Sequence, residues 1–454
     1  MTALSLSRLG PKARKRAAAQ PIEYNLLLTA TLCLLALGVV MVFSASSTTS
    51  LLGKSGDSAY YLKRTLLFGA AGLLVMRVLS LRGARLLRPL TPLLVAASFF
   101  LLLAVLAPGI GSSANGARRW IGAGMFQIQP SELAKISLIL YGAHLLATRP
   151  KMTRELRTLM PYLALVGLAA LLMVAEPDLG TAIVLCLAAA ALLVASGVKI
   201  RHLALLAMAI GVVVLLAIAI EPYRMQRVTG FLNPSGDPNG AGFQAIQAKI
   251  ALGSGGIFGV GLGQSLQKAF YLPEAHTDMI AAVIGEELGL VGISMLVGLY
   301  SLFGYAGLRT AQRARDRYGK LLAAGLTSLI LVQAIVNLFA VLGLAPLTGV
   351  PLPFVSYGNS SLLVTLAATG LLLNVARDGR ASAPARRVPR RASASARRGR
   401  GAARLRVVEG GRGSRTAGQA RGRSDSRRAK SRNSRGGDRR ARGAGARRRR
   451  RASG

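Results

Sequence analysis

Residues 26–44 read LLLTATLCLLALGVVMVFS and carry no charge. A helix needs about 20 mainly apolar residues to cross the hydrocarbon core of a bilayer, which is about 30 Å thick. This run is therefore long enough to cross a membrane once. Whether similar runs recur along the 454 residues decides between several soluble domains and one membrane protein.

Apolar runs of similar length do recur. The clearest are residues 91–107, 159–175, 181–196, 203–220 and 321–342. Runs that contain more polar residues are 62–79, 133–148, 279–308 and 362–375. Together with the first run they predict an all-α polytopic membrane protein with about ten transmembrane helices.

Basic residues cluster after every second run. Short cytoplasmic loops are enriched in Arg and Lys, so these clusters indicate the side on which each loop lies. They occupy residues 82–88, 149–157, 199–201 and 309–320, and residues 1–24 form a basic leader. Both termini are therefore expected in the cytoplasm. The same topology places residues 221–277 outside, as a large extracellular loop between spans 7 and 8.

Residues 376–454 form an Arg-rich tail. They contain 28 Lys and Arg and 4 acidic residues, so they supply +24 of the formal net charge of +41. A composition of Arg, Ala, Gly and Ser buries no core, which predicts a disordered cytoplasmic tail. Such a segment attracts anionic membrane lipids. It has neither interleaved aromatic residues nor the motif of a folded nucleic-acid-binding domain, so it indicates no specific nucleic-acid partner.

Two charged residues lie at the start of the fourth run. Glu132 and Lys135 are three positions apart, so on a helix they share one face and neutralise each other. They are either a structural ion pair or part of the lining of a substrate cavity, and the two roles are compatible. In the last outer loop, Ser356 belongs to a hydroxyl cluster that opens the tenth span. It is a candidate cavity residue, with helix capping as the alternative.

The large loop carries four further cations. Arg224 and Arg227 project together if this segment is helical, and guanidinium groups match the oxygens of a pyrophosphate. Ordinary surface charge is the alternative. Lys249 and Lys268 add further positive charge. The glycines at 253–263 lack the spacing of a nucleotide loop, so we expect them to permit close backbone packing or a re-entrant loop.

Asp278 ends the string His276-Thr277-Asp278, at the outer mouth of the eighth span. A lone aspartate here is often a helix cap. Other titratable residues lie nearby in sequence, namely Glu274, His276, Glu286, Glu287 and Lys268. Clustered titratable groups favour a functional site. Asp278 is therefore the leading candidate for a catalytic carboxylate.

The chain resembles the SEDS family (shape, elongation, division and sporulation) of bacterial peptidoglycan glycosyltransferases, and it is most similar to the cell-division branch. The matching strings are FSASS (43–47), RWI (119–121), QPSELAK (129–135), EPDLGT (176–181), YRMQR (223–227), GSGG (253–256), QK (267–268), YLPEAHTD (271–278), GEELG (285–289) and LPFVSYGNSS (352–361). They are spread over residues 25–375, in the family's order, and the tail lies outside them.

The resemblance implies a ten-span enzyme that polymerises lipid II outside the cytoplasmic membrane, at the division septum. It also implies a class B penicillin-binding protein that cross-links the strands, and other division proteins, as partners. The family's essential aspartate maps onto Asp278, and a salt bridge bordering its central cavity maps onto Glu132 and Lys135. Asn359 replaces a usual glycine, Lys249 a usual leucine and Phe243 a usual tyrosine, which puts acceptor contacts in doubt.

The reaction sets two requirements. A carboxylate takes the proton of the attacking sugar hydroxyl, which we assign to Asp278. Positive charge neutralises the leaving pyrophosphate, which we assign to the cations Arg224, Arg227, Lys249 and Lys268. No cofactor is certain, but a divalent cation, Mg²⁺ or Mn²⁺, is a candidate. The alternatives are a lipid II flippase, for which no internal repeat is visible, and an elongation-specific polymerase.

Overall fold

The computed structural model describes residues 20–380, except for 54–55, 110, 115–116, 125, 238–239, 241 and 269–270. The predicted tail from residue 381 onward and most of the predicted leader lie outside the described residues. The expectations for them therefore stay predictions.

The described part of the chain is built from helices. They are α1 (Ile22–Leu52), α2 (Tyr60–Leu106), α3 (Pro130–Thr148), α4 (Leu156–Ala175), α5 (Leu179–Ser196), α6 (Ile200–Ile220), α7 (Pro222–Leu232), α8 (Phe243–Ser254), α9 (Ile280–Arg313), α10 (Arg317–Val341) and α11 (Asn359–Arg380). Short 3-10 turns occupy Pro150–Arg154 and Pro234–Gly236.

Nine helical segments within the described residues are long and apolar enough to cross a membrane. The α2 helix supplies two of them, Tyr60–Gly83 and Leu86–Leu106. The predicted fourth span, α3, is not among the nine; its first turns carry Glu132 and Lys135, which lower its hydropathy. The chain is thus an all-α polytopic membrane protein, while the count of ten spans stays a prediction.

The second and third predicted spans belong to one helix instead of two helices joined by a loop. The first half of α2 packs along α11, where Asn374 Nδ2 donates to the Ser80 carbonyl over 3.1 Å. The second half packs along α3, where the hydroxyls of Ser98 and Ser137 are 3.1 Å apart. Each half therefore has its own partner helix.

Side-chain contacts gather the predicted cytoplasmic ends at one end of the bundle. Arg88 lies 5.0 Å from the Tyr318 ring centroid and within 3.4 Å of His144. Arg317 donates to the Ser196 carbonyl over 3.3 Å. These contacts agree with the predicted topology, because all five residues lie beside predicted cytoplasmic loops.

A small antiparallel sheet precedes α3, which the sequence did not predict. Its strands are β1 (Gly111–Ala114), β2 (Ala117–Ala123) and β3 (Phe126–Ile128), in the order β1-β2-β3. Ser112 pairs with Trp120 across the first ladder, and Gly122 with Gln127 across the second. The backbone between α2 and α3 thereby satisfies its own hydrogen bonds.

The predicted large loop is not an irregular excursion. It contains α7 and α8, and its glycine segment (residues 253–263) packs against a break in α9. At the break, Gly289 has φ 64° and ψ −157°, outside the helical range. The backbone groups freed around it are paired with the glycine segment. The amides of Val260 and Gly261 donate to the carbonyls of Glu286 (3.0 Å) and Glu287 (3.1 Å), and the amides of Leu290 and Val291 donate to the carbonyls of Gly256 (3.0 Å) and Ile257 (3.1 Å).

The two backbones can approach this closely because glycines line the contact. A Cβ atom on Gly255 would overlap the carbonyl oxygen of Gly285. A Cβ atom on Gly259 would overlap that of Glu287. Close backbone packing is therefore confirmed at Gly255 and Gly259. Broken helices and irregular backbone are tolerated in membrane proteins when neighbouring protein satisfies them, as here.

We expect Gly255→Ala to destabilise the protein by about 1 to 3 kcal/mol, because the added methyl overpacks a backbone contact. Gly253→Ala is the matched control, since nothing lies within 4 Å of a Cβ atom there. An alanine inside a helix is about 0.5 to 1 kcal/mol better than glycine, so this control should be neutral or stabilising. Thermal unfolding in one detergent compares the two variants. Equal midpoints would contradict the packing described for Gly255.

Candidate active site

Asp278 lies just before α9, with its side chain partly buried. The helix begins at Ile280, and its N-cap residue, Met279, makes no side-chain capping bond. Asp278 therefore does not cap the helix, and the capping alternative is wrong. The Thr277 hydroxyl lies 3.3 Å from Asp278 Oδ1, and the same hydroxyl lies 2.8 Å from Glu274 Oε2.

Asn337 of α10 fixes the backbone around this carboxylate. Its Nδ2 donates to the carbonyl of Asp278 over 2.8 Å and to that of Val350 over 2.8 Å. The last outer loop is thereby tied to the same point. At Gly349 in that loop, φ is 69° and a Cβ atom would lie 3.9 Å from Asp278 Oδ2. The carboxylate is thus positioned by α10 and by the last loop together.

Burial, followed by the negative charge of Glu274, raises the pKa of Asp278 to about 6. The positive charge of Arg227 acts in the opposite direction on this pKa. A general base works best when its pKa lies near the working pH. At neutral pH, Asp278 is mainly ionised, and it accepts a proton more readily than an ordinary aspartate.

A basic groove lies between α7, α8 and the residues that follow α10. Its lining includes Arg227, Lys249, Tyr223 and Leu347. Arg227 donates to the Leu347 carbonyl over 3.1 Å, and its guanidinium lies 4.8 Å from the Tyr223 ring centroid. Lys249 is exposed. The groove therefore presents two cations, and one of them also acts on Asp278.

The other two predicted cations are engaged elsewhere. Arg224 donates to the carbonyls of Val174 (2.7 Å) and Ala217 (2.9 Å), so it joins α7 to the ends of α4 and α6. Lys268 is buried, and its ammonium lies 2.8 Å from Glu287 Oε1. Arg224 and Lys268 do not line the basic groove, so the four cations do not form one cluster.

Glu286 and Glu287 are adjacent in α9, just before its break at Gly289. The structure brings both against residues 265–268. Glu287 is fully buried and accepts from Lys268 and, over 2.7 Å, from Ser44. Glu286 accepts from the Ser265 hydroxyl and from the Leu266 amide over 3.0 Å. Together they anchor the segment that leads to Asp278.

The predicted pair of Glu132 and Lys135 is confirmed. The Lys135 ammonium lies 2.8 Å from Glu132 Oε1 and 2.7 Å from Gln333 Oε1, and both charged side chains are at most 2% exposed. Gln333 in turn donates to the Pro351 carbonyl over 3.0 Å. The pair therefore links α3 and α10 to the last outer loop.

His276, two residues before Asp278, is joined to the last outer loop, because the Tyr357 amide donates to its carbonyl over 2.9 Å. The His276 ring packs against the rings of Tyr61 (centroids 4.3 Å apart) and Tyr357 (5.6 Å). Burial lowers the pKa of His276, so its imidazole is neutral at pH 7. The Ser356 hydroxyl accepts from the Leu352 amide over 2.8 Å, which closes the last loop. Ser356 therefore shapes the loop and does not cap α11.

The turn between α4 and α5 holds an acid whose importance the sequence did not indicate. Arg119 of β2 donates to the carbonyls of Glu176 and Pro177 and lies 3.9 Å from the Asp178 carboxylate. The Glu176 carboxyl is 1% exposed and has no hydrogen-bond partner among the described residues. Burial, followed by the charge of Asp178, raises the pKa of Glu176 to about 8.

The described residues contain no group of three or more His, Cys, Asp or Glu side chains that could hold a metal ion. Mg²⁺ is commonly held by one or two carboxylates together with substrate phosphates. Among the described residues, the lining of the basic groove holds no carboxylate, and the divalent cation stays a prediction.

Residues 24–381 match the FtsW, RodA and SpoVE family, described as cell cycle proteins. The chain belongs to this family. Stage V sporulation protein E of Bacillus subtilis (strain 168) is 43% identical over 357 residues, covering 78% of this chain and 97% of that protein. A probable peptidoglycan glycosyltransferase FtsW of Geobacter sp. (strain M18) is 41% identical, covering 76% and 94%.

Solved structures of FtsW, RodA and SpoVE family relatives have the same fold. One, from work on the structural coordination of polymerization and crosslinking by a peptidoglycan synthase complex, has a TM-score of 0.62 and 34% identity, covering 78% of this chain and 97% of that chain. The rod shape determining protein RodA of Thermus thermophilus has a TM-score of 0.55 and 31% identity, covering 78% and 96%.

We expect Lys135→Met alone to destabilise this family member by about 3 to 5 kcal/mol, because it leaves the Glu132 charge buried without its partner. Adding Glu132→Gln should recover most of the loss, because no charge then stays buried. Thermal unfolding of the two single variants, the double variant and the unmodified chain measures the coupling. Additive losses in the double variant would contradict a direct pair.

Proposed function

We infer that this chain is a peptidoglycan glycosyltransferase that polymerises lipid II into glycan strands. Curated relatives at 41% identity carry the name probable peptidoglycan glycosyltransferase FtsW, and they are matched over almost their whole length. The observation that carries the proposal is the placement of Asp278, a carboxylate with a raised pKa, within the electrostatic reach of a cation that lines the basic groove.

We assign the proton transfer to Asp278. The 4-hydroxyl oxygen of one sugar attacks the anomeric carbon of the next, and its proton passes to the Asp278 carboxylate. The bond from that carbon to the pyrophosphate oxygen breaks, and undecaprenyl pyrophosphate leaves with the electron pair. Asn337 and Thr277 act as positioning residues, since they hold the backbone and the carboxylate of Asp278.

The leaving pyrophosphate needs positive charge as its negative charge develops. Arg227 and Lys249 supply it from the basic groove, because both line that groove. We assign Arg224 and Lys268 a structural role, because their donors bind other groups of the fold. A divalent cation, Mg²⁺ or Mn²⁺, would be held mainly by pyrophosphate oxygens and would add to the neutralisation.

We place the reaction at the outer face of the cytoplasmic membrane, at the division septum. The basic ends of the helices lie together in the bundle, which supports a cytoplasmic location for them and for both termini. We propose a class B penicillin-binding protein as the cross-linking partner, in line with the synthase complex whose chain this one resembles. The FSASS ending of the first span favours division over elongation.

Replacing Asp278 by Asn should lower polymerisation by about 10²- to 10⁴-fold, the usual contribution of a general base. Folding should be retained, because burial disfavours the charged form that Asn removes. The measurement uses the full chain in proteoliposomes with its transpeptidase and fluorescent lipid II, and glycan polymer is separated on a gel.

Asp237→Asn, in the same outer segment, is the control and should polymerise normally. Assays with and without a chelator test the cation. Full activity of Asp278→Asn would overturn its assignment. Movement of lipid II across the membrane without any polymer would favour a flippase instead.

Polymerisation should fall as the pH drops through about 6, because protonated Asp278 accepts no proton. Glu274→Gln should move this midpoint to lower pH, because the charge of Glu274 raises the pKa of Asp278. The pH profile of kcat/KM measures the shift. Glu221→Gln, at the exposed start of α7, serves as the control and should leave the midpoint unchanged. An unchanged or raised midpoint in Glu274→Gln would contradict the electrostatic coupling.

A further inference from the structure

A second groove opens beside the segment that ends at Asp278. Its walls come from the end of α1, the start of α2 and residues 272–276. The α1 wall contributes Thr49, Ser50 and Gly53, and the α2 wall contributes Tyr60 and Tyr61. None of these five residues belongs to the basic groove. One short segment therefore contributes to a second groove as well as carrying the candidate base.

Aromatic rings dominate one side of this second groove, and they are held rigidly. The Tyr61 ring packs edge-on against Tyr60 (centroids 5.1 Å apart) and Tyr357 (4.8 Å), and it lies 4.3 Å from the His276 ring. Arg64 lies 4.6 Å from the Tyr60 centroid and donates to the Tyr357 hydroxyl over 3.4 Å. Little side-chain entropy remains to be lost when a ligand packs on such a cluster.

We propose that this second groove binds the pyranose rings of the growing glycan strand, an inference that rests on the proposed function. A pyranose presents apolar C–H faces and polar edges. The rings of Tyr60 and Tyr61 suit the faces, since aromatic side chains combine a flat apolar surface with a polar tip. The Thr49 hydroxyl and the Glu274 carboxylate suit the hydroxyl and amide edges, as in sites where a few polar groups fix orientation.

The position of the groove favours this ligand. His276 lines it and is two residues from Asp278, so a sugar bound here lies close to the proton acceptor. The polar rim makes the groove a poor site for an acyl chain. Pyrophosphate has its cations in the basic groove, where Arg227 and Lys249 lie. The basic groove thus suits the charged pyrophosphate of a lipid-linked sugar, and the second groove suits its uncharged sugar rings.

The probe is a soluble fragment of alternating N-acetylglucosamine and N-acetylmuramic acid, without lipid or pyrophosphate. Its binding to the full chain in nanodiscs is measured by calorimetry. Tyr60→Leu and Tyr61→Leu should each weaken binding by about tenfold, which corresponds to one good aromatic contact. Tyr60→Phe and Tyr61→Phe keep the rings and should bind within about threefold of the unmodified chain. In polymerisation assays the Leu variants should release shorter strands.

Tyr305→Leu is the matched control. Tyr305 is exposed and pairs with an arginine four residues later, Arg309, at 5.6 Å, as Tyr60 does with Arg64. It does not line the second groove and should leave fragment binding unchanged. Unfolding midpoints check that every variant is folded.

Each outcome decides the proposal. Fragment binding that is unchanged in both Leu variants would overturn it, and a weakened affinity for the transpeptidase in those same variants would assign the groove to a protein partner. Polymerisation by the unmodified chain with no tyrosine-dependent binding would overturn the sugar site but leave the proposed function intact. Tyrosine-dependent binding without polymerisation would overturn the proposed function but leave the sugar site intact.

Discussion

The hydrogen bonds between the glycine segment and the break in α9 hold the functional end of this protein together. A helix interrupted among apolar neighbours leaves backbone donors and acceptors without water, and each unsatisfied one is costly. Residues 256–261 supply the missing partners around Gly289. The chain then continues to Lys268, whose ion pair with Glu287 fixes it a second time. The turn that carries Asp278 starts from this doubly anchored point.

The carboxylate is surrounded by elements that are distant in sequence. Asn337 joins its backbone to the last outer loop, and that loop contacts Gly180 at the start of α5 through Thr348. Two grooves of different chemistry lie in this region: cations line one groove, and aromatic rings line the other. This division matches a substrate whose sugar and phosphate parts differ in the same way. Glu274, which lines the second groove, raises the pKa of Asp278, whereas Arg227, which lines the basic groove, lowers it.

The sequence predicted the helical membrane class, because the length of the apolar runs matches the thickness of the bilayer and the basic residues indicate its cytoplasmic side. It also predicted the pair of Glu132 and Lys135, since helical spacing alone brings them together. It could not predict which cations share a groove. Arg224 and Arg227 are three residues apart, yet one bonds to carbonyls of two helix ends while the other lines the groove. That difference depends on tertiary packing, as does the small sheet before α3.

The buried acid Glu176 affects the electrostatic potential around the outer loops. With a pKa of about 8, its carboxyl is mostly neutral at physiological pH, so Arg119 faces a single anion, Asp178, in this turn. The guanidinium charge is then balanced without a surplus of negative potential. An anionic headgroup near this turn therefore meets no net negative charge from it.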